Sequence, residues 1–130
     1  MKLATIPLLF PLAASAAGSY ECAVVSATSL AANGEMKRTS FTKAYEGQKF
    51  IVNRETGQIT SEVISNSNGF GQPEVLDLGS SEQSFKALTV FRPKVAVDYL
   101  MIQSFVEGPK KPFLFLSGGL LMSGKCFLDH

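Results

Sequence analysis

Catalysis and metal binding need side chains that hold a proton, a metal or a reactive lone pair, and this 130-residue chain has few of them. His130 is the only histidine and the last residue, where chains fray, so a Ser-His-Asp or Cys-His arrangement lacks an anchored base. Cys22 and Cys126 form no C-x-x-C and have no histidine beside them, so neither a redox pair nor a zinc site is expected. Asp77, Asp98 and Asp129 are the only aspartates and lie far apart, which leaves no alternating calcium loop. The expectation is therefore no metal and no cofactor. Gly69-Phe70-Gly71 and Ser117-Gly118-Gly119 lack the Lys-Ser/Thr that completes a phosphate loop, and both read as turns.

Carboxylates remain. A hydrolase working through a carboxylate pair needs two of them about 5–9.5 Å apart. Glu62, Glu74, Asp77, Glu82, Asp98 and Glu107 are available, but their spacing brings no two together on one strand face. Asp98 stands out because it interrupts the apolar run Val95-Ala96-Val97 before Tyr99-Leu100. A buried charge needs a partner, so the expectation is an exposed or salt-bridged strand position.

Residues 1–17 read as a secretory signal peptide, leaving 18–130 as one domain. Lys2 gives the basic start, Leu3 to Leu12 the apolar stretch, and Ala13-Ala14-Ser15-Ala16-Ala17 the small residues, with cleavage after Ala16 or Ala17. The apolar stretch is shorter than the ~20 residues of a spanning helix and contains Pro7 and Pro11, so no stable membrane span is expected. Secretion or periplasmic export favours oxidised thiols, and two cysteines allow one bridge, Cys22–Cys126. The chain carries 12 basic and 11 acidic side chains. That balance leaves no concentrated basic surface for nucleic acid.

The elements that must position these residues read as strands. Tyr20, Cys22 and Val24 alternate with Glu21 and Ala23; Lys49 to Arg54 and Gln58 to Ile64 flank a Glu55-Thr56-Gly57 turn. Phe85 to Phe91, a long Val95 to Val106, and a hairpin of Phe113 to Leu116 with Leu120 to Leu128 follow. Met36 to Thr42 and Glu74 to Leu78 are weaker strands, and helix is scarce: the best candidate, Ser26 to Ala32, is short enough to be a loop. The sum is an all-β fold, a small antiparallel barrel or sandwich of about seven to nine strands closed by one disulfide. A bridge between first and last strands suits neighbours in a barrel. Nine of the ten phenylalanines lie beyond residue 17, enough to fill such a core or line a cavity; a filled core is expected.

Two loops fit binding better than catalysis. The first, Ser65 to Pro73, is polar except for Phe70, which with Asn68 is a candidate contact, although Phe70 folded back on the barrel is favoured. The second is Lys110-Lys111 between Pro109 and Pro112, a solvated turn by default and otherwise a basic contact. The Tyr20-x-Cys22 opening, the late Cys126 and the small-β character resemble the periplasmic lysozyme-inhibitor barrels. The Ser-Gly-x-x-Tyr motif of those inhibitors is missing: Leu121 and Phe127 stand where its tyrosine would be, so no functional residue is carried over. The expected function is a secreted non-enzymatic binding module acting through loops, an inhibitor of an extracellular enzyme being one form. A carrier of a small apolar ligand in a barrel cavity comes second, and a carboxylate-dependent hydrolase third.

Overall fold

A computed structural model describes residues 18–66, 71–93 and 95–129. The expected signal peptide, Asn68, Phe70 and His130 lie outside the described residues. Nine strands and one helical turn follow in order: β1 (Ser19–Leu30), β2 (Met36–Lys37), α1 (Ser40–Lys43), β3 (Lys49–Asn53), β4 (Ile59–Thr60), β5 (Gly71–Leu78), β6 (Phe85–Phe91), β7 (Ala96–Ile102), β8 (Lys110–Ser117) and β9 (Leu120–Asp129). All are antiparallel in one sheet of order β4-β3-β1-β9-β8-β7-β6-β5, with β2 beside the end of β1, and the sheet curls into a half-barrel.

Alternation sets which face is inside. On β1 Tyr20, Cys22 and Val24 are buried, while Glu21 is exposed and Ala23 only partly covered. Val25 is then the extra residue of a bulge between Val24 and Ser26, and it is largely exposed. The bulge shifts the phase by one, so Ala27 rather than Ser26 enters the core. On β9 Cys126 faces Cys22 directly, and the two form the disulfide with Cα atoms 4.0 Å apart. Closing a loop of this length is worth about 4.7 kcal/mol in the chain-entropy picture. The bridge ties the first strand to the last inside the core, as the sequence leads one to expect.

Aromatic rings fill the interior. Phe50 of β3 meets Phe113 of β8 edge-on, centroids 5.2 Å apart at 87°, and reaches Phe115 at 6.3 Å. Tyr20 tilts over Phe85 at 5.4 Å. Each such contact adds about 0.5–1.5 kcal/mol beyond area burial. Leu100, Ile102, Ile59 and Met122 complete one continuous cluster. Gly124 has no room for a side chain: a Cβ there would lie 2.0 Å from the Ala23 carbonyl oxygen and 2.8 Å from the Phe113 ring.

The sheet ends β4 and β5 share no ladder, and side chains instead tie the β3–β4 hairpin to the β5–β6 hairpin. Arg54 Nε donates to the Leu78 carbonyl at 2.9 Å. Asn66, 1% exposed, accepts from Ile59 N–H at 2.6 Å and donates to the Gly57 carbonyl and Thr89 Oγ1, each at 2.9 Å. Buried amides cost free energy unless paired, and these three bonds pin β4 onto β6. At the end away from Asp98, burial pushes the Tyr20 hydroxyl pKa up, partly offset by Arg54 and a bond to Ser104. The Ser104 hydroxyl lies 2.9 Å from the Gln83 carbonyl and 3.3 Å from that of Ser80, with one proton to share between them.

Several sequence expectations need correction. Ser26 to Ala32 is no helix; β1 runs through to Leu30 because β9 and then β2 pair with it. Met36 to Thr42 keeps two strand residues and then becomes α1, whose start is closed by Thr39 and Thr42 bonding each other's backbone N–H. Gln58 to Ile64 yields only β4, since the Ser61 side chain takes the Val63 and Ile64 N–H groups into a turn. The long Val95 to Val106 strand stops at Ile102, where Ser104 and Val106 N–H turn back on Ile102 and Gln103 carbonyls. Lys110 and Lys111 are not a turn tip but the start of β8, paired with Phe127 and Cys126. Strand β5 begins at Gly71, so Pro73 lies in a strand, tolerated because that strand is an edge.

Candidate functional site

At one end of the half-barrel, inward positions turn from apolar to polar. Thr89 of β6, Asp98 of β7 and Ser117 of β8 are cross-strand neighbours on one rung above Ala87, Leu100 and Phe115. Asp98 follows the inward phase of Leu100 and Ile102 and is 8% exposed, so the expectation of an exposed or salt-bridged position is overturned. The Ser117 hydroxyl donates to its carboxylate, and no lysine, arginine or histidine lines its pocket among the described residues. Burial pushes the Asp98 pKa above the usual carboxylate range, and the Ser117 bond offsets part of that rise.

Asp98 sits in a hollow of about 90 Å³, walled by Tyr45, Val63, Ile64, Phe115, Leu120 and Met122 with Ser65 and Ser117 at its side. A shallower hollow of about 390 Å³ adjoins it and shares Tyr45, Ser117 and Leu120. Leu30 and Phe41 form its outer rim, 59% and 63% exposed. The short helix places these rings: Phe41 and Tyr45 are four residues apart and meet edge-on at 5.7 Å. Arg38 anchors the segment through two bonds of 2.7 Å to the Glu46 carboxylate, which hold the Glu46 pKa down. Together these residues make a mouth: an apolar groove with one desolvated carboxylate at its floor.

A third hollow, about 660 Å³, lies on the outer face of β3, β1 and β9. Ile51 and Phe127 flank Glu21 there, and Lys49 and Lys125 flank Ala23. Charges of both signs are interspersed with the apolar groups, so no single ligand charge is favoured.

Of the residues expected from sequence to bind, Lys110 reaches this outer face, its Nζ 5.5 Å from the Phe127 ring centroid. Lys111 is half-buried and donates to the Val106 carbonyl, which fixes the β7–β8 connection. The two lysines therefore point to different tasks and form no joint patch. Among the described residues no group of three or more His, Cys, Asp or Glu is placed to hold a metal, and no helix is long and apolar enough to cross a membrane. Leu30, Phe41, Tyr45, Leu120 and Ser117 carry no motif, so sequence spacing alone passes over them. The one usable signal was Phe41-x-x-x-Tyr45 behind the Thr39/Thr42 pair, a helical spacing with its own cap. Comparison of the chain with family models, curated proteins and solved structures finds no match.

Proposed function

We propose that this protein is an exported, non-enzymatic binding module that holds a segment of a partner protein in the mouth. The observation that carries the reading is the pairing of an exposed apolar rim, Leu30 and Phe41, with a buried carboxylate whose pocket holds no cation among the described residues. A purely apolar ligand would cover Asp98 and leave its charge further desolvated, whereas a polypeptide brings both an apolar side chain and polar donors. The aromatic filling of the interior favours this reading over a carrier with a ligand inside the barrel. Among the described residues no second carboxylate lines the Asp98 pocket, which favours binding over a carboxylate-pair hydrolase. The disulfide and the leader-like residues 1–17 fit export.

The test is selection of displayed random peptides against the oxidised protein. Selected peptides should lose at least about tenfold in affinity when both rim residues are replaced, Leu30→Ser with Phe41→Ser, a change typical of losing a central contact. Ile51→Ser with Phe127→Ser on the outer face should change little. Peptides indifferent to the rim and sensitive to the outer face would contradict the mouth as the docking surface.

A further inference from the structure

We infer that the hollow over Asp98 is a receptor for one basic side chain, a lysine or arginine of the partner segment, with Asp98 as its counter-ion. This rests on the mouth being the docking surface and adds the chemistry of what enters it.

Size is the first reason. About 90 Å³ is well below the roughly 300–1,000 Å³ of pockets for whole small molecules, but suits the end of a single long side chain. Charge is the second. Asp98 is 8% exposed, and among the described residues its side-chain hydrogen bond comes from the Ser117 hydroxyl. A carboxylate held largely away from water is best offset by a cation, and among the described residues the pocket supplies only the hydroxyls of Tyr45, Ser65 and Ser117 and no basic side chain. The wall is the third reason. Leu120, Met122 and Phe115 can cover the methylene stem of a lysine or arginine while its head reaches the floor. Tyr45, at the boundary of both hollows, presents a ring on which a cation is favoured. A residue next to the basic one would then lie on Leu30 and Phe41. An apolar side chain beside a lysine or arginine is thus the pattern the mouth reads.

The direct test is an NMR titration of the oxidised protein with n-butylammonium chloride, using n-butanol as the uncharged control. Butylammonium should give saturable shifts at the amides of Tyr45, Asp98 and Ser117, with affinity at least about tenfold above that of butanol. In Asp98→Asn, which keeps the shape and removes the charge, that preference should vanish. Equal binding of the alcohol and the ammonium, or no saturable shift with either, would overturn the inference. So would an Asp98→Asn protein that keeps the preference. Peptide selection separates this failure from that of the parent reading. Peptides that need Leu30 and Phe41 but show no enrichment in lysine or arginine would sink the basic-residue receptor and leave the docking surface standing. If butylammonium binds but no peptide docks at the rim, the receptor survives and the protein-binding reading falls.

Discussion

Asp98 holds an inward strand position at the floor of the mouth, 8% exposed, with the Ser117 hydroxyl beside it. Its place after three apolar residues marked it, because strand alternation seldom spends an inward position on a carboxylate. Its burial was not legible, since the residues that cover it, Tyr45, Ile64 and Leu120, come from three distant parts of the chain. Burial raises its pKa in the folded state, so the fold favours the protonated form. The stability this contributes is full below the unfolded pKa of about 4 and is lost as pH rises through the higher folded value. Asp98→Asn cannot titrate and should escape that loss. Urea unfolding across a pH series should show wild type falling behind the variant as pH climbs from about 4, with the gap levelling off above the folded pKa. Parallel curves for the two proteins would show that Asp98 is not desolvated in solution.

At the level of elements, the strands that bury one face were the legible ones. Phe85 to Phe91 matches β6 at both ends, because alternation, a leading Ser-Ser-Glu-Gln-Ser loop and a trailing Arg-Pro all agree. The Glu55-Thr56-Gly57 turn is likewise where composition put it, with Gly57 at φ +80°. Failures fall where side chains capture backbone groups: Ser61 ends β4, and the Thr39/Thr42 pair starts α1. Such bonds depend on local geometry that alternation does not encode. The β1 bulge is another case, since nothing in Val24-Val25-Ser26 announces an extra residue. Beside it on β9, Gly124 faces Val24 and leaves space for the close approach of the Ala23 carbonyl. Gly124→Ala should therefore force β1 away from β9 and cost about 2–3 kcal/mol in urea unfolding, at the upper end of overpacking effects. A cost under about 0.5 kcal/mol would mean the two strands are not in this close contact.

For the molecule as a whole, composition and cysteine placement were enough for an all-β fold closed by Cys22–Cys126, but not for how the half-barrel is joined. Residues from far apart do the joining, Arg54 with Leu78 and Asn66 with Thr89, and long-range pairs of this kind leave no periodic trace. They also decide the shape that matters for function: one end is sealed around Tyr20 and Ser104, while the other stays open over Asp98. That open end is the proposed binding surface. Methyl-labelled protein titrated with a selected peptide tests it most directly. Leu30, Leu120 and Met122 methyls should shift and saturate together while Ile51 and Leu76, on other faces, stay in place. Saturable shifts at Ile51 or Leu76 with the mouth methyls unmoved would contradict it.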